Sequence, residues 1–259
     1  MPEHDEQLLL DYANHFLGYG TLNSSLWLIG PEAGGGETID EVYSRALVWA
    51  ERGRKETEDL QGYHRDLKLS AKFDWSRKIQ PTWGPLIRTI LALQRGDADT
   101  VDANCVRAFQ KNELGRHDGE NSILDLSQLS SPSMSEWKLG DYRISWLANR
   151  AEYQTQILMP RCEVLRQKLA NREEPRIVLF YGLSHRHLWE RIVGSQFKPS
   201  RIHQIELVWV KSRLHVLMPH PNSVRLPGKG SNNKFWSQVG SSINKELILS
   251  DANKLSYLD

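Results

Sequence analysis

Short apolar runs alternate with segments of helical spacing along most of this sequence, and no other feature restricts the possible fold as strongly. Five apolar runs predict strands, at residues 25–30, 122–126, 176–182, 205–211 and 214–219, the last two as a hairpin or as adjacent strands. Helical spacing is found at residues 8–16, 39–52, 81–93, 149–171, 183–193 and 232–249. This alternation indicates an α/β fold, here a three-layer α/β/α sandwich with a mainly parallel central sheet.

The length of 259 residues favours one domain, since it is long for one core and short for two. Two additions to the domain are expected: an N-terminal helical extension at about residues 1–22, and a polar loop or insertion without periodicity at about residues 95–121. Residues 63–80 are polar and aromatic and fit no element pattern.

Composition excludes several classes of protein. With 39% hydrophobic and 25% charged residues, the chain is neither disordered nor a coiled coil. No apolar run approaches the roughly 20 residues that span a bilayer, and the acidic N-terminus lacks the order of a signal peptide. The two cysteines, Cys105 and Cys162, cannot build a disulfide framework or hold an iron–sulfur cluster alone. We therefore expect a cytoplasmic protein with no cofactor, no membrane contact and no obligatory protein partner.

The basic residues are unevenly distributed, although the net charge is only +1. The segment from Lys198 to Lys234 contains several basic residues and only one acidic residue, Glu206. Such a run forms either a solvated face or a surface that meets phosphates.

Parallel sheets bind ligands beyond the carboxyl ends of their strands, which draws attention to the loops after Gly30, Leu126 and Pro219. The first loop reads GPEAGGGE at residues 30–37 and holds two carboxylates, Glu32 and Glu37. It lacks the Gly-Lys-Ser/Thr of a phosphate-binding loop and the spacing of a dinucleotide fingerprint. A carboxylate here can orient water or face a developing cation, or Glu37 can simply complement a helix N-terminus.

His220 lies between Pro219 and Pro221, which hold it in a stiff, non-helical backbone at the end of the last predicted strand. A lone histidine is often structural. Placement at the same edge as two glutamates favours a functional role, and the basic and apolar residues that follow it suit a loop that probes a nucleic-acid groove.

Together these segments resemble the uracil-DNA glycosylase superfamily. GPEAGGGE (30–37) and HPNSVRL (220–226) are similar to its two signature motifs, a glycine–acid loop after the first strand and a His-Pro-Ser type loop after the last. Between them, Phe73 with IQPTWGPLI (79–87), SILDLSQLSS (122–131) and RIVLFYGLSHRHL (176–188) follow the superfamily's order. Each motif is weakly specific, whereas the ordered set covers most of residues 25–240.

The resemblance implies a monofunctional DNA glycosylase that flips a base out of DNA, hydrolyses its N-glycosidic bond and leaves an abasic site. Glu32 or Glu37 would face the sugar and orient water, with Glu37 slightly favoured, and His220 would donate to a base carbonyl. The base pocket would contain Phe73, Asp125, Gly34, Gly35 and Asn222. The DNA contacts would be Thr82, Ser184, Ser223, Arg225, Leu226 and Lys229, with Arg225 and Leu226 as the wedge.

Two departures from the superfamily pattern bear on the substrate. Gly34 to Gly36 stand where uracil-specific members have a tyrosine beside C5 of the base, which leaves room for a C5 substituent. Asp125 stands near the base-reading asparagine, and an ionised carboxylate accepts from the amine of cytosine but cannot donate to O4 of uracil. Both departures indicate an enlarged cytosine, such as the glucosylated hydroxymethylcytosine of phage DNA, and hence a defence enzyme.

Other interpretations remain open at this point. Asp125 can be a buried residue that caps the following turn, and Phe73 can belong to the core, with Trp75 as the stacking residue. The protein can be a uracil glycosylase of base excision repair, or a module of the same fold that binds DNA without cutting it. A metal enzyme built on His185, His187, His203, His215 and His220 is disfavoured, because positions i and i+2 share no helix face and no zinc spacing is present.

Overall fold

The computed structural model of the protein describes residues 5–34, 38–74, 78–129, 137–142, 144–202, 204–223 and 232–255. The strands are β1 (Gly18–Tyr19), β2 (Leu26–Glu32), β3 (Thr57–Glu58), β4 (Asn121–Ser127), β5 (Ile177–Tyr181), β6 (Lys198–Pro199), β7 (Glu206–Val210) and β8 (Arg213–Met218). The helices are α1 (Glu6–His15), α2 (Ile39–Glu51), α3 (Leu60–Asp66), α4 (Trp83–Arg95), α5 (Ala103–Asn112), α6 (Arg150–Tyr153), α7 (Met159–Ala170), α8 (Arg186–Val193) and α9 (Asn232–Leu255).

In the described residues, the strands form one eight-stranded sheet of order β3-β1-β4-β2-β5-β8-β7-β6. The four central strands, β4, β2, β5 and β8, run parallel. At one side β7 and β6 continue the sheet in antiparallel fashion, which confirms the predicted hairpin. Because the central strands are parallel, their carboxyl ends at Ser127, Glu32, Tyr181 and Met218 lie along one edge of the sheet.

Helices cover both faces of this sheet, because the side chains of its buried strands alternate between them. In β2, Leu26 and Leu28 belong to a core shared with α4 and α9. Trp27 and Ile29 of the same strand pack instead with α7 and α8. The α/β class and the mostly parallel sheet are thus confirmed, and helices on both faces are compatible with the expected three-layer sandwich.

The prediction of a polar loop or insertion without periodicity at residues 95–121 is wrong at the centre of this segment, where α5 forms. The carboxylate of Asp102 caps this helix by accepting from the N–H of Cys105 at 2.8 Å. Val106 and Phe109 are buried in the core shared with α4. The segment is polar on average, and Val106 and Phe109 are its only fully buried apolar side chains, so it did not stand out as a helix in the sequence.

The helix expected at residues 149–171 forms with one irregularity. A π-helical turn at Gln154–Leu158 joins α6 to α7. Pro160 follows it and has no N–H, so the regular hydrogen bond to the carbonyl of Gln156 is lost there. The unassigned residues 63–80 include the end of α3 and a 3-10 turn at Ser70–Phe73.

Candidate active site

A cavity of about 380 Å³ opens at the carboxyl-terminal edge of the central strands. Six of the predicted site residues line it: Glu32, Gly34, Thr82, Asp125, His220 and Asn222. They come from β2, the start of α4, β4 and the segment after β8. Parallel packing therefore brings together residues that are far apart in the sequence.

Three larger cavities lie elsewhere among the described residues, and the smallest of them, of about 490 Å³, is lined by Arg52, which follows α2, and Thr57 of β3. One, of about 810 Å³, is lined by Asn14 of α1 and Lys168 of α7. Another, of about 590 Å³, lies at the opposite edge of the sheet, beside Arg176 and Arg213 at the starts of β5 and β8. Ligands of parallel sheets bind beyond the carboxyl ends of the strands, so the cavity of about 380 Å³ is the better candidate.

His220 is positioned as a neutral hydrogen-bond donor. Burial lowers the pKa of its imidazole below the ordinary value. The backbone N–H of Asn222 donates to Nδ1 of His220 at 3.2 Å. In a neutral ring whose Nδ1 accepts, Nε2 carries the proton. The ring also packs edge-on against Tyr181, with centroids 5.5 Å apart, which fixes its orientation.

Asp125 is a buried carboxyl, 5% exposed, that lines the cavity from β4. Burial raises the pKa of Asp125 to about 7, against the lowering effects of Arg161, Arg45 and a hydrogen bond from the Tyr181 hydroxyl. A carboxyl with this pKa is partly neutral at neutral pH. Asp125 was expected from the sequence to be ionised, and the burial of its side chain corrects that expectation.

Glu32 ends β2 at the mouth of the cavity. Its Oε1 lies 3.6 Å from Nη1 of Arg150, and its side chain is 26% exposed. The adjoining loop is anchored on both sides, since the N–H of Ala33 donates to the Ser127 carbonyl and Nη2 of Arg45 donates to the Gly34 carbonyl. A solvent-reachable carboxylate is thus held at the edge of the cavity.

Phe73 lies in the core rather than on the cavity wall. It is 5% exposed and contacts His64 and Trp83, with ring centroids 5.7 and 5.8 Å away. Trp83 and His64 themselves line the cavity. The structure therefore favours the core interpretation of Phe73, and Trp83 is one of the described aromatic rings that do line the cavity, with Tyr19 and Tyr181. Trp75, the alternative stacking residue, lies outside the described residues.

Of the three side chains expected to contact phosphate, Thr82, Ser184 and Ser223, only Thr82 lines the cavity. The side-chain amide of Asn222 donates to the Thr82 hydroxyl at 3.0 Å, which ties the segment after β8 to the start of α4. The N–H of Ser223 donates to the His220 carbonyl at 2.8 Å. Ser184 is exposed, lies in the turn before α8 and contacts His185, but does not line the cavity.

Several predicted residues lie outside the described part of the chain: Gly35, Glu37, Arg225, Leu226 and Lys229. Their assigned roles stay predictions.

Several residues that line the cavity were not predicted from the sequence, among them Tyr19, Arg45, His64, Lys72, Trp83 and Tyr181. Tyr181 carried a usable signal, because it is the penultimate residue of a predicted parallel strand and so falls at the ligand-binding edge. Arg45, His64 and Lys72 carried none, since helix packing alone decides that they face the cavity. Burial, and then the charge of Lys72, lowers the pKa of His64 to about 4; burial, and then Arg45, lowers that of Lys72.

Other kinds of site are not apparent in the described residues. Within these ranges, no group of three or more His, Cys, Asp or Glu side chains is arranged to hold a metal ion. No helix in the same ranges combines the length and apolarity needed to cross a membrane. The sequence matches no protein-family model and no curated protein.

Proposed function

We propose that this protein is a monofunctional DNA glycosylase with the fold of the uracil-DNA glycosylase superfamily. One observation carries the proposal: a single cavity at the carboxyl edge of the parallel strands is lined by the Glu32 carboxylate, the buried Asp125 carboxyl and the neutral His220 imidazole. N-glycosidic hydrolysis needs this set of groups: one at the sugar, one that reads the base and one at the leaving base.

The base must leave the DNA stack before it can enter such a cavity. In the proposed complex, Thr82, Ser184 and Ser223 hold phosphates, Arg225 and Leu226 act as the wedge, and Lys229 adds a basic contact. The link between Asn222 and Thr82 supports this, because it joins two of the proposed DNA-contacting segments at the cavity mouth.

The bond-breaking step separates charge, and the cavity offers a partner for each part. Positive charge develops on the sugar, where Glu32 or Glu37 stabilises it and orients the attacking water. Negative charge develops on the base, where Nε2–H of His220 donates to the carbonyl oxygen. A neutral imidazole can do this without transferring its proton.

We infer that the substrate is a C5-modified pyrimidine, such as glucosylated hydroxymethylcytosine, and that the biological role is defence against phage. Gly34 on the cavity wall supports this, because a Cβ added there would meet nothing within 4 Å. The cavity of about 380 Å³ is also in the size range of sites for ligands larger than a bare pyrimidine.

The test uses DNA duplexes that carry one uracil, thymine, cytosine, hydroxymethylcytosine or glucosylated hydroxymethylcytosine. After incubation with the protein, alkali cleaves the strand at any abasic site. Cleavage at the bulky cytosines is expected. Cleavage at uracil alone would make the protein a repair glycosylase, and cleavage at none of them would leave a DNA-binding module and overturn the proposal.

Variants assign the chemistry. His220→Ala is compared with His187→Ala, which removes an exposed histidine of α8 away from the cavity. Glu32→Gln and Glu37→Gln are compared with Glu51→Gln at the exposed end of α2. Base release that persists after His220→Ala, Glu32→Gln and Glu37→Gln would contradict the assigned mechanism.

A further inference from the structure

Asp125, Gly30 and Tyr181 lie side by side on three neighbouring strands. Gly30 of β2 pairs in register with Asp125 of β4. On the other side, the preceding pair, Ile29 with Phe180, places Tyr181 of β5 beside Gly30. A Cβ on Gly30 would come within 2.1 Å of the Tyr181 hydroxyl. The tyrosine side chain therefore crosses directly over the glycine towards the Asp125 carboxyl, and a hydrogen bond from its hydroxyl is among the effects that lower the pKa of that carboxyl.

The groups around Asp125 leave its carboxyl without a strong cationic partner. The charged or titratable side chains that act on it are Tyr181 of β5, Glu32 of β2, Arg45 of α2, Arg161 of α7, Tyr12 of α1 and Tyr19 of β1. Arg161 directs its guanidinium to the backbone carbonyls of Asp125, Leu126, Ala13 and Asn14. Arg45 donates to the carbonyl of Gly34.

The pair therefore presents a definite hydrogen-bonding pattern to the cavity. Burial raises the pKa of Tyr181 well above its ordinary value, so its hydroxyl remains a donor. Burial also keeps a share of Asp125 neutral near pH 7. A neutral carboxyl has one O–H donor and one carbonyl acceptor, and that carbonyl has a second lone pair left after Tyr181 donates to it.

We propose that Asp125 reads the flipped base as a neutral carboxylic acid held by Tyr181, and that the bases so read carry an amino group beside an unprotonated ring nitrogen, as cytosine and its C5-substituted forms do. The carboxyl O–H donates to N3 of the base, and the carbonyl accepts from the N4 amine. An ionised carboxylate would instead set a lone pair against N3. Tyr181 is a positioning residue, since it acts through Asp125.

This inference rests on the proposed glycosylase function, and its first test is a pH profile. Single-turnover base release from glucosylated hydroxymethylcytosine duplexes is measured from pH 5.5 to 9. For the unmodified protein the rate falls about tenfold per pH unit above the pKa of Asp125, as the neutral fraction does. Asp125→Asn is expected to stay active and to lose this fall, because an amide offers one donor and one acceptor at every pH.

Tyr181→Phe separates positioning from a merely structural role. The Tyr181 hydrogen bond lowers the pKa of Asp125, so its loss moves the fall in rate to higher pH. Asp118→Asn, at a carboxylate that is 79% exposed, is the matched control and leaves the profile unchanged. An Asp125→Asn protein inactive at every pH, a flat profile for the unmodified protein, or a Tyr181→Phe profile that does not move would each overturn the inference.

A binding measurement keeps this inference distinguishable from the proposed function. The probe is a duplex with 2′-fluoroarabino-hydroxymethylcytosine, whose glycosidic bond resists hydrolysis. Tighter binding at pH 6 than at pH 8.5, with the difference abolished by Asp125→Asn, supports base reading even if no oligonucleotide is cleaved. Cleavage without pH dependence would leave the glycosylase function standing and this inference wrong, and binding without pH dependence would also contradict it.

Discussion

The backbone N–H of Asn222 donates to Nδ1 of His220 at 3.2 Å, and this bond assigns the proton of the neutral imidazole to Nε2. This hydrogen bond is set by local chain geometry, since Nδ1 of His220 and the N–H of Asn222 lie two residues apart on one turn after β8. The same turn anchors Asn222 to Thr82 through its side-chain amide. His220 is thereby oriented by the segment that we propose contacts DNA.

Loss of the Nε2–H donor of His220 should slow base release without preventing DNA binding. Removing one preorganised donor from a developing anion costs about 10²–10³ in rate, and we expect that loss for His220→Ala under single-turnover conditions. The His187→Ala control should react like the unmodified protein. If the rate of the unmodified protein fell as pH rose through 6.5, and Asp125→Asn showed the same fall, His220 would have to act in its protonated form. That result would contradict this assignment.

Asp125 should make the fold less stable as pH rises. The carboxyl stays protonated in the native state up to about pH 7, whereas in the unfolded chain it ionises near the ordinary aspartate pKa of 3.8. Between these values the unfolded state binds fewer protons, so the free energy of unfolding falls with rising pH. Over about three pKa units this amounts to on the order of 4 kcal/mol.

Urea unfolding at pH 4 and pH 7.5 measures this effect. From pH 4 to pH 7.5, the free energy of unfolding of Asp125→Asn should rise relative to that of the unmodified protein. That of the exposed Asp118→Asn variant should not. An Asp125→Asn difference that is the same at both pH values would show that the carboxyl titrates normally in the fold.

Gly30 and Tyr181 should be energetically coupled. A Cβ at residue 30 would lie 2.1 Å from the hydroxyl oxygen and 2.3 Å from Cζ of Tyr181, so Gly30→Ala must displace the ring. We expect Gly30→Ala to cost about 1–3 kcal/mol more in the unmodified protein than in Tyr181→Ala, measured by a double-mutant cycle of urea unfolding. Gly34→Ala is the matched control, because its Cβ meets nothing within 4 Å. Additive costs would rule out the close approach.

His215 should limit stability in acid. It is 2% exposed on β8, stacks with Phe180 at 6.1 Å, and its Nδ1 has no hydrogen-bond partner among the described residues. Burial, and then Arg213, lowers its pKa to about 3. The unfolded chain binds a proton near pH 6.5 and the native state does not, so stability is lost as pH falls below 6.5.

His215→Phe should remove this loss, which reaches about 3 kcal/mol at pH 4. At neutral pH the change should be small, because an apolar ring replaces a polar group that makes no hydrogen bond at Nδ1. Urea unfolding at pH 7 and pH 4 measures both effects, with the exposed His117→Phe as the control. Equal acid sensitivity in His215→Phe and the unmodified protein would contradict the prediction.

The sequence predicted those elements whose pattern is local. Apolar runs marked β2, β4, β5, β7 and β8, and their alternation with helical segments predicted the α/β class. The short helix α5 was missed, because its sequence is polar on average and only Val106 and Phe109 among its apolar side chains are fully buried. Phe73 was expected in the base pocket by resemblance, with a core position left open, and its packing against His64 and Trp83 favours the core.

By itself the sequence determined which residues end the strands, and therefore that Glu32, Asp125 and His220 would share one edge, because parallel strands point the same way. Only the tertiary structure decided the chemical state of those residues. Burial sets the protonation of Asp125, a turn sets the tautomer of His220, and the missing side chain of Gly30 lets Tyr181 reach across a strand. These properties depend on desolvation and on distances between residues remote in sequence, which no local pattern records.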